Sequence, residues 1–270
     1  MFELSPHGTD VHVGSGPQYP WGGLYGGQIV AQALRAATLS VDSALEPHSI
    51  RAYFIRRGDH NEPVRYEVDR IRNGRSFATR RVVARQAVGA ILNAESSFQR
   101  PEAATHVQPL VMPDVPRPDE LVEDSWSTTF ERVMVPTDRV SGPSREGSGR
   151  TVAWMKVSSP LGDPSDAESQ LLHRCWLAYL SDDLPTDSVL GVLPFGTDEA
   201  ARDASYCASL DHTIWFHGQL SADRWHLYDF TCAHYVGGRG LAIGHVFAAD
   251  GAHVATVAQE VLVRDGRDRG

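Results

Sequence analysis

Lysine is almost missing from this chain: Lys156 is the only one among 25 basic residues. Acidic residues number 34, which leaves a net charge of −9. With no basic surplus to neutralise phosphates, the chain does not read as a general nucleic-acid binder. Cysteine is scarce too. Cys175, Cys207 and Cys232 are odd in number and lack metal-ligand spacing, so they read as reduced thiols. No apolar run approaches the ~20 residues that cross a bilayer, so no stable membrane insertion is expected. The opening stretch "MFELSPHGTDVH" has neither the basic nor the apolar region of a signal peptide. A cytoplasmic globular protein is the expectation, with 270 residues for one large domain or two small ones.

What is present is written twice. "HSIRAYFIRRG" at 48–58 and "DHTIWFHG" at 211–218 each set a histidine ahead of a short aromatic run that ends at a glycine. Before the first phrase lies "LYGGQIVAQALRAATLS", where two glycines suggest a flexible turn ahead of good helix formers. That helix is apolar nearly all round except for a stripe of Gln28, Gln32 and Arg35, so it must be wrapped. Before the second phrase lies "PSDAESQLLHRCWLAYLSDD". Ser165 and Glu168 form a capping box there, Leu171, Cys175, Ala178 and Asp182 follow at helical spacing, and Pro185 ends the helix.

After each phrase come strand-rich runs. "VRYEVDRIRNGRS" corresponds to "HLYDFTCAHYVGGRG", and "NAESSF" to "VAQEVL"; "RNGRS" carries an Asn-Gly hairpin signal. A helix followed by an antiparallel meander, twice over, signals internal duplication. The predicted units are residues 1–105 and 129–270. Between them, 106–128 is a Pro-rich, acidic linker, and "SGPSREGSGR" reads as a solvated loop before the strand "TVAWMKV". The two halves are expected to pair their sheets like a symmetric dimer within one chain.

Taken in order, "GGQIVAQAL", "YFIRRGD", "RNGRSFATRRVVARQ", "DHTIWFH" and "VAQEVLVR" resemble the type II acyl-CoA thioesterases over roughly residues 20–264. The resemblance implies an α+β double hotdog, two long helices packed on one continuous curved antiparallel sheet. It implies hydrolysis of fatty acyl-CoA to free acid and CoA, with no cofactor, no metal and no covalent serine nucleophile, by a homodimer or higher homo-oligomer. It also implies a water held by an aspartate after the second helix, a hydroxyl two residues before the "DH(S/T)" aspartate, and a glutamine in the last strand. Those positions carry Asp182, Ser209 and Gln259. The family often has threonine at the second, and Ser209 keeps the hydroxyl.

The residues themselves leave two readings at each position. Asp182 ends an apolar stripe, either as a solvated helix end or as a general base. In the second case the negative end of the helix dipole and partial burial would push its pKa up, toward what proton abstraction needs. Asp183, on the stripe of Leu172, Trp176 and Tyr179, competes for the assignment. Gln259 shares a strand face with Ala255, Val257, Val261 and Val263, so its amide should be buried and must find partners, structural or catalytic. Ser209 is either an ordinary strand-entry serine or the hydroxyl that fixes the water, and with no histidine placed beside it as a triad base it is not read as a nucleophile. Asp211 and His212 either pin the strand start or line the site. Backbone N–H groups around Gly27 and Gln28 are candidate donors to the thioester oxygen, and Gly26–Gly27 alternatively just permits a tight turn. Tyr25 and Gln28 are candidates to line the acyl tunnel, and Arg56, Arg57, Arg75 and Arg80 to meet CoA phosphates. A non-catalytic acyl-CoA or lipid binder of the same fold remains an alternative. So does an enoyl-CoA hydratase, although no Asp-x4-His segment lies near either helix start.

Overall fold

The computed structural model describes residues 1–142, 147–196 and 198–265, without the side chains of residues 199 and 203. The rest of the predicted "SGPSREGSGR" loop, residues 143–146, and the end of the predicted second unit, 266–270, lie outside the described residues. The chain runs β1 (Ser5–Pro6), β2 (Val11–Gly14), α1 (Gly26–Thr38), β3 (Glu46–Phe54), β4 (Val64–Asn73), β5 (Phe77–Gln86) and β6 (Gly89–Gln99). Then follow β7 (Phe130–Val135), β8 (Arg150–Val157), α2 (Ala167–Leu180), α3 (Pro185–Leu190), α4 (Glu199–Ala204) and β9 (Tyr206–Ser209). The last strands are β10 (Asp211–Phe216), β11 (His226–Val236), β12 (Arg239–Ala248) and β13 (His253–Arg264). Among the described residues no helix is long and apolar enough to cross a membrane.

Two compact units emerge. The first comprises Met1–His106, Arg174–Asp182 and Asp211–Phe216, and the second comprises Val107–His173, Asp183–Leu210 and the chain from His217 onward. In the first, antiparallel strands lie in the order β1-β2-β4-β5-β6-β3-β10. The two repeated phrases pair with each other at the β10 end. Ile50 and Ile214, each two residues after the histidine of its phrase, stand directly opposite.

Helix α1 lies against β2–β6. At 13 residues it would be marginal alone, so packing must supply its stability. Every residue from Gly27 to Leu34 is buried, Gln28 and Gln32 included. The polar stripe is therefore not a solvated face. Gln32 Oε1 accepts from Tyr66 Oη at 2.6 Å, and its Nε2 donates to the carbonyls of Ser15 and Met1. The glutamines bind the N-terminal segment down onto the helix, which satisfies amides that would otherwise be costly to bury.

The second unit carries β13-β12-β11-β8-β7, with β9 also paired to β13 and α3 packed on β11–β13. The Pro-rich stretch has no long element, yet it is not detached. Met112, Val115 and Leu121 pack on a core of Val133, Val152, Trp154, Leu227 and Phe247, and Trp154 Nε1 donates to the Pro116 carbonyl at 2.9 Å.

Two local expectations need correction. Helix α2 is capped by Asp166, whose carboxylate accepts from the Ser169 N–H at 3.0 Å, while Ser165 turns back onto Asp163. Both residue types cap well, and an aspartate also brings a negative charge to the positive helix end. Pro185 does not merely end a helix. It opens α3, where a missing N–H costs nothing.

Candidate active site

Gly26 and Gly27 do not form a turn. They are the first residues of α1, and neither has a positive φ. A Cβ on Gly27 would lie 3.0 Å from Tyr179 Cα and closer still to its carbonyl oxygen. On Gly26 it would lie 2.7 Å from Asp182 Oδ2 and 2.9 Å from the Phe54 ring. The two glycines make room for the end of α2. Small residues continue the seam, with Cys175 Sγ 3.5 Å from the Ala31 carbonyl. Burial pushes the Cys175 thiol up to about 12, so it is an inert packing group rather than a nucleophile.

This close crossing places Asp182 against the start of α1. The Gly27 N–H donates to Asp182 Oδ2 at 2.8 Å, and Asp182 is only 8% exposed. The Gly27 N–H, expected to face a thioester oxygen, thus points at the carboxylate instead. The aspartate follows the negative end of α2, as the spacing suggested, but it also meets the positive end of α1. No local sequence pattern announces that second helix end.

Asp183 takes a different environment. Its Oδ1 accepts from Trp126 Nε1 at 2.5 Å and its Oδ2 from Arg132 at 2.7 Å. Burial opposes the charge on Arg132, but Asp183, together with Asp124 and Asp187, outweighs it and raises the guanidinium pKa. Asp183 is therefore the buried half of an ion pair. Nothing in the sequence near Asp183 pointed to Trp126 or Arg132, more than 50 residues away.

Gln259 lies where strand alternation put it. Ala255, Val257, Gln259, Val261 and Val263 are all buried on one face of β13. Its Nε2 donates to Ser209 Oγ at 2.7 Å. Ser209 stands opposite Val261 on β9, so the amide reaches diagonally across the strand pair. The described contacts thus join Asp182 with Gly27, and Ser209 with Gln259.

Tyr25 and Gln28 have polar ends engaged within the protein. Tyr25 precedes α1 and donates to the Tyr179 carbonyl at 3.0 Å, its ring edge-on to Tyr179 at 4.7 Å. Gln28 Oε1 accepts from Tyr19 Oη at 2.5 Å, and its Nε2 donates to the Ser15 carbonyl. These bonds hold the entry of α1. The expectation for Arg80 is corrected. The residue is 2% exposed and donates to Ser40, Asn73, Arg72 and Thr79, leaving no donor for a phosphate.

His212 is fully buried, with Nε2 2.9 Å from Ser181 Oγ. Its counterpart His48 meets Ser97 Oγ at 2.8 Å. Among the described residues no group of three or more His, Cys, Asp or Glu is placed to hold a metal ion.

Two family models match the chain, the acyl-CoA thioesterase N-terminal domain over residues 16–99 and the C-terminal domain over 105–263. The chain is 31% identical to human acyl-coenzyme A thioesterase 8, over 98% of this chain and 88% of that protein. It is 31% identical to acyl-CoA thioesterase 2 of Haemophilus influenzae, over 89% and 87%. Among solved structures, acyl-CoA thioesterase II TesB2 from Mycobacterium marinum superposes with a TM-score of 0.84 at 34% identity, covering 98% of this chain and 96% of that one.

Proposed function

Because the chain belongs to the acyl-CoA thioesterase family and has its double-hotdog fold, we propose that it hydrolyses fatty acyl-CoA to free fatty acid and CoA by general-base activation of a water. Asp182, Ser209 and Gln259 are the residues that hold that water. The observation that carries the reading is the contrast between two neighbouring carboxylates. Asp182 is buried against a backbone N–H, whereas Asp183 is committed to an arginine and an indole.

In this mechanism Asp182 takes a proton from the water as its oxygen attacks the thioester carbonyl carbon. The Ser209 hydroxyl and the Gln259 amide orient the water. An amide both donates and accepts, so it directs the attack without competing for the proton. Negative charge then develops on the carbonyl oxygen. With the Gly27 N–H turned to Asp182, the Gln28 N–H in the first turn of α1 is the donor proposed to meet it. Collapse of the tetrahedral species breaks the C–S bond. CoA leaves as the thiolate and takes up the proton held by Asp182, giving carboxylic acid and thiol. No cofactor enters the scheme. A homo-oligomeric state and a cytoplasmic location complete the proposal, and sedimentation of the purified chain tests the first of these.

The test is thiol release from palmitoyl-CoA and from shorter acyl-CoAs. Wild type should release thiol, and Asp182→Asn should be slower by about 100-fold or more, the range for losing a general base. Equal rates would remove Asp182 from the chemistry. Tight binding of acyl-CoA without turnover by wild type would make the chain a binder, and water addition to crotonyl-CoA without thiol release would make it a hydratase.

A further inference from the structure

Each repeat ends its long helix with the same pair of residues, Leu39–Ser40 after α1 and Leu180–Ser181 at the end of α2. Each serine hydroxyl donates to the carbonyl three residues back, Ser40 to Ala37 at 2.8 Å and Ser181 to Ala178 at 3.2 Å. Each hydroxyl also receives a second, buried partner. For Ser40 it is the Arg80 guanidinium, Nε to Oγ 2.7 Å. For Ser181 it is the His212 imidazole. The next residue is Val41 in the first repeat and Asp182 in the second.

From this juxtaposition we propose that Ser181 and His212 are positioning residues for Asp182. The proposal rests on the reading of Asp182 as the base. Ser181 spends its own proton on Ala178, so its oxygen accepts from His212 Nε2–H. His212 belongs to β10, which pairs with β3 and has Ala52 opposite it. The carboxylate is therefore fixed from two directions. One runs from the β3–β10 pair through His212 and Ser181 to the Asp182 backbone. The other is the Gly27 N–H on its side chain. General-base catalysis needs the carboxylate oxygen held at hydrogen-bond distance from water, and displacement of about 1 Å can cost about 100-fold in rate.

The choice of partner fits that role. A guanidinium keeps its positive charge in any protein environment, whereas an imidazole can make the same bond uncharged. Where no carboxylate follows, the helix end is held by arginine. Where the proposed base follows, it is held by a group that need not place a fixed cation beside it.

The experiment measures kcat and KM for thiol release from palmitoyl-CoA, with Tm for each variant, well below that Tm. Ser181→Ala and His212→Phe should lower kcat by about tenfold or more with KM within about twofold. His212→Gln, which retains an amide donor, should recover to within about threefold of wild type. If His212→Phe fails to fold, Ser181→Ala, which deletes one oxygen, decides the matter. A folded Ser181→Ala with wild-type kcat, a His212→Gln no better than His212→Phe, or losses carried by KM would each overturn the proposal. Asp182→Asn run alongside separates the two layers. Wild-type activity in Asp182→Asn defeats the base assignment itself, whereas an inactive Asp182→Asn beside a fully active Ser181→Ala defeats only the positioning role.

Discussion

Asp182 and Asp183 are adjacent in the chain, yet one carboxylate accepts from a glycine N–H in α1 and the other from Trp126 and Arg132. Asp182 belongs to the first compact unit and Asp183 to the second. Two residues beyond the last turn of α2, the chain passes from one packing environment to the other, and side chains of the same chemistry acquire different tasks.

Asp183→Asn should therefore be a stability variant. It leaves Arg132, whose side chain is 12% exposed, without its buried partner. Removing one half of a buried pair costs about 3 kcal/mol, because the remaining charge stays desolvated. Urea unfolding at neutral pH measures this, and a loss below about 1 kcal/mol would mean the pair is solvated.

Gly27→Ala should damage both fold and turnover. The added methyl meets the Tyr179 backbone rather than a flexible side chain, so the two helices must separate. Overpacking of this kind costs about 1–3 kcal/mol. The same separation lengthens the Gly27–Asp182 bond, so kcat should fall by about tenfold or more. Calorimetry and thiol release check the two parts. A variant with wild-type Tm would show that the seam is looser than the glycine geometry states.

Gln259→Leu should separate catalysis from stability. The residue sits among valines and alanines, so a leucine of similar volume is well accommodated, and Tm should change little. Ser209 Oγ loses its donor, and kcat should fall by about tenfold. Unchanged turnover would make the amide a strand tie only.

Acid should destabilise the protein through its histidines. Desolvation holds His217, His245 and His253 below the ordinary histidine value, with His253 lowered to about 4. Their rings are clustered, His245 Nδ1 lying 3.3 Å from His253 Nε2. His226, almost fully buried, is lowered as well. The unfolded chain binds protons at these groups before the folded one does. Their stabilising contribution is complete above pH ~6.5 and is lost as pH falls toward about 4. Urea midpoints at pH 7.5, 6 and 5 should decline in that order, less steeply in His253→Gln. A midpoint that is flat over this range would contradict the assignment.

The duplicated architecture was legible because local signals carried it: helical and strand periodicities recur in one order, and the Ile50–Ile214 pairing is their physical outcome. Gln259 was legible for the same reason, since strand alternation alone put an amide on an apolar face. Asp182 is singled out by its family position, since its spacing does not separate it from Asp183. What separates them is Gly27 on one side and Arg132 on the other, contacts of long sequence separation. Gly26 and Gly27 suggest a turn from sequence alone, because a close helix crossing and a tight turn ask for the same residue. The pattern points to Ser165 although Asp166 caps α2, because both side chains can bond a helix N–H. The short elements α3, α4, β7 and β9 carry too few residues to show a period.

Thiol release by Asp182→Asn and Asp183→Asn, compared with palmitoyl-CoA at a temperature where both variants are folded, tests the central claim most directly. The account predicts a loss of about 100-fold or more in Asp182→Asn and a rate within about threefold of wild type in Asp183→Asn. Equal losses in the two, or a greater loss in Asp183→Asn, would contradict it.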